Sequence, residues 1–174
     1  CDLFNSETGK EQLKERFSRF EIPDPPPFNV YERYDNFADV IDPNHISIID
    51  YLDFNSEVYL IAEEIDKIFR KLKNGVAVIG IQMPPPTKTL YKGQWKTLHR
   101  NLGYGAGQSA KRASLYIALW QTGADTGICK FVYVKNPAMK LINPNNMMFS
   151  YRVTNEGTDF SDIQTATEGE EIQW

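Results

Sequence analysis

The sequence lacks most of the features that assign a short chain to a function at sight. Its 174 residues include only two cysteines, Cys1 and Cys129, too few for the disulfide framework of a secreted domain. The two histidines, His45 and His99, do not pair with a cysteine at metal-ligand spacing, and no nucleophile-elbow motif is present. No apolar run reaches the length of a membrane span or of a secretory signal. We therefore expect a cytoplasmic protein with no membrane partner.

The sequence also lacks the GxxxxGK[ST] motif, the loop whose backbone amides and lysine hold nucleotide phosphates. On its own residues the chain is therefore expected not to hydrolyse ATP and to bind no nucleotide tightly. Its first residues, CDLFNSE, read as the middle of a buried strand rather than as a native start. We expect the chain to be a fragment of a longer protein.

The composition favours one α/β domain. With 41% hydrophobic residues, a chain of this length can bury a substantial core. The formal net charge of -4 argues against a protein whose whole surface binds nucleic acid or membranes, although a local basic patch stays compatible with it. We expect residues 1–164 to form the domain and residues 165–174, TATEGEEIQW, to form an acidic, mobile tail.

The clearest structural pattern lies in residues 46–82, where the apolar runs ISIID and VAVIGIQ flank a helical pattern. Between them, apolar residues recur at spacings of three and four, which places on one helical face Val58, Ile61, Ile65, Ile68 and Leu72. This pattern predicts two parallel strands joined by a helix over residues 55–73. Upstream, DLFN predicts another strand and GKEQLKERFSRF a helix.

Three downstream segments read as further strands: SLYIALW, ICKFVYVKN and MMFSYRVT. The turn-rich NPNN stretch between the last two predicts a hairpin. The predicted fold class is therefore α/β, with a mostly parallel central sheet flanked by helices and an antiparallel hairpin near the C-terminus.

Polar residues follow three of the predicted strands. Asp50 ends the run ISIID, Gln82 ends VAVIGIQ, and Glu7 follows DLFN. In parallel sheets ligands bind at the carboxyl ends of the strands, where a carboxylate can hold the water shell of Mg²⁺ and another can orient an attacking water. Two plainer interpretations stay open. Asp50 can simply stop a strand, and Glu7 can lie in the first turn of a helix capped by Ser6.

Residues 83–113, called the basic segment below, reverse the acidic character of the chain. They contain six cations and no carboxylate: Lys88, Lys92, Lys96, Arg100, Lys111 and Arg112. Tyr91 and Trp95 stand among these cations, a composition suited to stacking on bases while neutralising phosphates. We predict a loop that contacts single-stranded nucleic acid, with an ordinary solvated connection as the alternative.

The motif order resembles the RecA-like ATPase core of DnaB-type replicative helicases, with phage-type relatives the most similar. The order runs from NSE through IIDYLD and GVAVIGIQ to GYGAGQSAKRASLYIALW and KFVYVKNP. The resemblance implies catalytic roles for Glu7 and for the nucleotide-sensing Gln82, and an Mg²⁺-holding role through water for Asp50. It also implies that Lys135 is the trans-acting lysine that contacts nucleotide. Where the family places a finger arginine, this sequence has Pro137.

The resemblance also implies a function and its partners. The intact protein would use ATP and Mg²⁺, form a homo-oligomeric ring, expected to be a hexamer, and couple ATP hydrolysis to DNA unwinding or movement along single-stranded DNA. Two alternatives stay open, namely a non-catalytic RecA-like binding or scaffold module and a recombination or repair ATPase.

Overall fold

The computed structural model describes residues 1–52, 58–98, 100–136 and 142–167. The chain divides into two compact units, Cys1–Arg112 and Ala113–Trp174. The first unit contains a four-stranded parallel sheet and a two-stranded antiparallel one, and the second unit contains a four-stranded antiparallel sheet. The chain is thus of mixed α/β content, as predicted.

The first unit is built on a four-stranded parallel sheet with the order β2-β1-β3-β4. Its strands are β1 (Asp2–Asn5), β2 (Asn29–Glu32), β3 (Ile46–Leu52) and β4 (Val76–Ile81). Its first three helices are α1 (Lys10–Phe17), α2 (Phe37–Val40) and α3 (Val58–Lys71). The prediction of two parallel strands joined by a helix over residues 46–82 is therefore confirmed. The expected start of that helix, residues 55–57, lies outside the described residues.

The core of the first unit forms where α3 packs against the sheet. Ile61, Ile65 and Ile68 of α3 are buried together with Ile49 and Leu52 of β3. Their spacing of three and four along α3 places the isoleucines on one face, which the continuous apolar run of β3 meets. Burial of these side chains is the main force that holds α3 on the sheet.

The basic segment contains a hairpin where the sequence predicted a loop. Strands β5 (Thr87–Tyr91) and β6 (Gln94–Leu98) pair antiparallel and form a two-stranded sheet, called the ribbon below. Lys92 and Gly93 form its turn, both with positive φ, 49° and 79°, as a tight hairpin turn requires. A short helix, α4 (Gly107–Ala110), follows the ribbon. The loop prediction was wrong because a two-residue turn lets polar strands pair without a core beneath them.

The second unit is an antiparallel sheet with the order β10-β9-β8-β7. Its strands are β7 (Leu115–Gln121), β8 (Thr126–Val134), β9 (Met148–Thr154) and β10 (Asp159–Ala166). The three predicted strands and the hairpin of β8 with β9 are confirmed. Strand β10 was missed, so Thr165 and Ala166 belong to a strand rather than to a mobile tail. Residues 168–174 of that predicted tail lie outside the described residues.

The physical reason for missing β10 lies in its sequence, DFSDIQTA. Its pairing with β9 shifts register between Ser161 and Gln164, and Asp162 adopts a positive φ of 50°. A bulge of this kind interrupts the alternation of apolar and polar residues by which a strand is recognised. The antiparallel part of the fold is therefore a four-stranded sheet, not only a hairpin.

Candidate nucleotide edge and basic ribbon

The parallel sheet brings the three polar residues predicted at strand ends to one edge. Glu7 lies two residues beyond β1, Asp50 lies opposite Asn5 in the register of β3 with β1, and Gln82 directly follows β4. Because these three strands are adjacent and parallel, all three residues lie at the carboxyl ends of the strands. We call this the carboxyl edge.

Asp50 does not end its strand as predicted. Strand β3 continues to Leu52, and its register with β4 shifts, since Ile49 pairs with Ile79 whereas Leu52 pairs with Ile81. Three steps along β3 therefore match two along β4, which places Asp50 and Tyr51 in a bulge. The bulge keeps Leu52 on the buried side of the sheet, with 1% of its surface exposed.

The turn after β1 is held to this bulge. The Ser6 amide donates to the carbonyl oxygen of Asp50 at 2.9 Å, and the Ser6 hydroxyl donates to that of Tyr51 at 2.5 Å. Helix α1 begins at Lys10, and Gly9 occupies its N-cap position. The alternative in which Ser6 caps the helix and Glu7 lies in its first turn is therefore wrong. Ser6 instead fixes Glu7 relative to the strand that carries Asp50.

Two residues that sequence reasoning did not select shape the same turn. Asn5 Oδ1 accepts hydrogen bonds from the Thr8 amide at 3.3 Å and from the Thr8 hydroxyl at 2.9 Å. The Asn5 side-chain amide also donates to the Thr8 carbonyl oxygen. Both residues are buried, whereas Glu7 between them is exposed. The spacing of an asparagine and a threonine three residues apart is a turn signal that could have been used.

A cavity of about 360 Å³ lies beside this turn, under α1. It is lined mostly by α1 and by residues of β1 and β2: Asn5, Lys10, Leu13, Lys14, Phe17, Val30 and Glu32. Neither Asp50 nor Gln82 lines it. The cavity is therefore separate from the residues predicted to contact nucleotide.

The described residues contain no cluster of three metal-ligating side chains. At the carboxyl edge, a single carboxylate such as that of Asp50 suits Mg²⁺ bound through water, with phosphate oxygens as the remaining ligands. A carboxylate in this position can contact the water shell of Mg²⁺ that a nucleotide carries.

The ribbon starts from the carboxyl edge and returns to it. It follows Gln82 after the proline run at 84–86, and the Tyr104 amide donates to the Gln82 carbonyl oxygen at 3.0 Å. A Cβ on Gly103 would lie 3.2 Å from the same oxygen, so the returning backbone passes close to the end of β4. The ribbon and the predicted nucleotide-sensing residue are therefore joined at one point.

Both faces of the ribbon are open to solvent at the residues whose side chains the structure describes. All residues of β5 are exposed, and 72% of the Trp95 surface is exposed. Leu90 lies directly opposite Trp95, while the Lys92 Nζ atom lies 5.4 Å from the centre of the Tyr91 ring. Of the predicted nucleic-acid residues, Lys88, Arg100 and Lys111 are exposed as well. The side chain of Lys96 is outside the described part of the chain.

Arg112 is engaged with α3. Its Nη2 and Nε atoms lie 2.6 Å and 2.7 Å from Asp66 Oδ1, and its guanidinium carbon lies 4.8 Å from the centre of the Phe69 ring. Arg70 Nε contacts the second carboxylate oxygen at 2.7 Å. The hydrogen bond from Arg112 holds the pKa of Asp66 below its usual value, with Arg70 adding to the effect. Arg112 thus anchors the end of the basic segment, a role that its position in a run of cations did not indicate.

Lys135 belongs to the second unit. It directly follows β8, its side chain is exposed, and its amide donates to the Ser114 carbonyl oxygen at 2.8 Å. Pro137, which stands where the resembling family has its finger arginine, lies outside the described residues.

Within the described ranges, no helix combines the length and apolar character needed to cross a membrane. No protein-family model matches the chain, and a search of curated proteins finds no match either.

Proposed function

We propose that this chain is the part of a RecA-like ATPase motor that follows the phosphate-binding loop. The intact protein would act in the cytoplasm as a ring, a hexamer, that couples ATP hydrolysis to unwinding DNA or moving along a single strand. One observation carries the proposal. The carboxyl edge of a parallel sheet collects Glu7, Asp50 and Gln82, and this edge is where such sheets bind ligands.

Each residue at the carboxyl edge suits one role in phosphoryl transfer. Asp50 would hold the water shell of Mg²⁺, which when bound with ATP neutralises charge on the phosphates. Glu7, exposed on a turn fixed by Ser6, would orient and deprotonate the attacking water. Gln82 would contact the terminal phosphate through its neutral amide. Lys135 would act on the nucleotide of a neighbouring subunit.

The outer side of β4 supports the same proposal. Among the described residues no strand pairs with it, although its sequence, VAVIGI, carries no charge and Val76 and Val78 are more than half exposed. Edge strands in soluble proteins are usually blunted by charge or proline. The opposite edge strand, β2, is blunted in this way, because it contains Glu32 and follows the run PDPPP. Under the proposal, a strand carrying the phosphate loop pairs with β4, next to Gln82.

The decisive experiment extends the chain by its upstream coding sequence and measures DNA-stimulated ATP hydrolysis. Removing a general base or a metal-holding carboxylate lowers kcat by roughly 10²- to 10⁴-fold, so Glu7→Gln and Asp50→Asn should each do so. Glu11→Gln, an exposed acid on α1, is the matched control and should leave kcat unchanged. Full activity in Glu7→Gln and Asp50→Asn would overturn the proposal. The 174-residue chain itself should bind ATP·Mg²⁺ weakly or not at all.

One observation favours a second candidate, a RecA-like module that binds nucleic acid without catalysis, because the sequence contains no GxxxxGK[ST] motif. The two candidates differ in the extended protein. The second candidate predicts that the extended protein binds single-stranded DNA but does not hydrolyse ATP. It also predicts that the triple substitution of Lys92, Lys96 and Arg100 by alanine weakens DNA binding and reduces its salt dependence.

A further inference from the structure

We propose that one face of the ribbon is a stacking surface for unpaired bases, and that it makes the protein select single strands over duplexes. This face includes Lys88, Leu90 and Trp95 and is called the stacking face below. The inference rests on the proposed nucleic-acid function and deepens it, because it names which residues recognise the bases and which form of nucleic acid they accept.

Strand geometry places these three residues together. Lys88 and Leu90 are two residues apart in β5 and therefore project from the same face, about 7 Å apart along the strand. Leu90 pairs with Trp95 of β6, so their side chains are direct cross-strand neighbours on that face. The result is an apolar platform, an indole beside an isobutyl group, with an ammonium group flanking it.

The exposure of this platform is the observation that points to a ligand. Trp95 is 72% exposed and Leu90 is 58% exposed, although both are large apolar side chains. A tryptophan placed for stability is normally buried, because burial of its ring is what stabilises a fold. An exposed flat ring beside a cation is instead suited to a ligand that offers a flat ring next to a negative charge. A nucleotide in a single strand has both.

The opposite face is less suited to the same task. Tyr91 and Gln94 pair with each other there, and the Lys92 ammonium lies 5.4 Å from the centre of the Tyr91 ring. This cation–π contact occupies the ring that would otherwise accept a base. The sequence alone provides no reason to assign different roles to Tyr91 and Trp95. Their neighbours in the folded ribbon distinguish them.

Stacking of this kind selects by strandedness and not by sequence. Every base has a π-face, but in a duplex both faces are covered by neighbouring base pairs, so only unpaired bases can stack on Trp95. A protein surface could also cover an exposed tryptophan. The charge of the basic segment favours nucleic acid, because its 31 residues, 83–113, include six cations and no carboxylate. Five of the six cations lie outside the ion pair of Arg112 with Asp66.

The test compares binding of the whole chain to three ligands of equal length: an oligothymidylate, an abasic oligomer with the same phosphates, and a duplex. Fluorescence anisotropy gives each Kd at one fixed salt concentration. Stacking on one base predicts that wild type binds the oligothymidylate about 5- to 100-fold more tightly than the abasic oligomer or the duplex.

Matched variants separate stacking from ribbon folding. Trp95→Ile keeps an apolar, β-favouring residue in the strand but removes the flat ring, and should bind the oligothymidylate only as tightly as the abasic oligomer. Trp95→Phe should retain most of the preference. Tyr91→Ile, the same change on the opposite face, should leave the preference unchanged. Lys88→Ala should weaken binding to all three ligands and reduce the salt slope by about 1.

The outcomes distinguish the two levels of the proposal. If wild type binds none of the three ligands, the nucleic-acid function itself fails. If it binds all three equally, or if Tyr91→Ile is as damaging as Trp95→Ile, nucleic-acid binding stands but the stacking face is wrong. If Trp95→Ile abolishes self-association, measured by sedimentation, and leaves oligonucleotide binding intact, the face is a protein-docking surface and the inference is overturned.

Discussion

The parallel sheet and the ribbon, both in the first unit, are built by different forces. Ile49 of β3 has 0% of its surface exposed and belongs to the core cluster of the unit. Every residue of β5 is exposed, and the ribbon depends on its turn and on cross-strand pairs such as Leu90 with Trp95. The sheet therefore carries the stability of the unit, whereas the ribbon can change its residues for binding at little cost to the fold.

The largest expected effect tests this division with a matched pair of truncations. Ile49→Ala removes buried atoms from the core and should lower the free energy of unfolding by about 2–5 kcal/mol. Leu90→Ala, a comparable truncation in the ribbon, should change it by less than about 0.5 kcal/mol. Urea denaturation followed by circular dichroism measures both. Similar losses in the two variants would mean that the ribbon is part of the core.

A second pair of substitutions sharpens the comparison at two glycines. A Cβ on Gly75, at the start of β4, would lie 2.9 Å from the Pro43 carbonyl oxygen, so Gly75→Ala forces backbone apart and should cost about 1–3 kcal/mol of global stability. Gly93, in the ribbon turn, has open space but a φ of +79°. Gly93→Ala should therefore cost about 1–2 kcal/mol of ribbon pairing only.

Amide hydrogen exchange distinguishes these two results. Gly75→Ala should speed exchange throughout the parallel sheet, whereas Gly93→Ala should speed exchange in β5 and β6 alone. Faster exchange in β3 or β4 of the Gly93→Ala variant would contradict the independence of the two regions.

The smallest effect concerns the contact that joins the basic segment to α3. Because Arg112 and Arg70 hold the pKa of Asp66 below its unfolded value, the folded state binds fewer protons there, and this contribution to stability is present above about pH 4. It is lost as the pH falls through the lowered folded pKa. Wild type should therefore exceed Asp66→Asn in stability at neutral pH, and the difference should disappear in acid. Urea unfolding at a series of pH values checks this, and a difference that grows in acid would contradict it.

The sequence predicted the elements that depend on burial. Strand β3, helix α3 and strand β4 have continuous or regularly spaced apolar residues, and a core imposes that spacing directly on the sequence. The ribbon and β10 were missed because neither buries a continuous apolar face. In the ribbon the informative signal was the Lys92-Gly93 turn, which is weaker than an Asn-Gly turn since lysine tolerates positive φ poorly.

The candidate site was predictable to a similar extent. That Glu7, Asp50 and Gln82 lie at one edge follows from parallel strands alone. The bulge at Asp50 depends on the register of β3 with β4. The hydrogen bond from Ser6 to Tyr51 and the pairing of Arg112 with Asp66 join residues more than 40 positions apart in the sequence. Such contacts depend on the register of the folded chain, and one sequence contains no local pattern that reports them.

The outer edge of β4, which carries neither charge nor proline, affects how this chain behaves at different concentrations. Within the described part of the chain no strand pairs with this side of β4. An apolar edge of this kind can pair with the same strand of another molecule, and the rate of that encounter rises with the square of the protein concentration. Dilute solutions should contain monomers, and concentrated ones should scatter light although each molecule is folded. A peptide with the sequence of a matching strand, added in excess, would suppress the scattering by occupying the edge first.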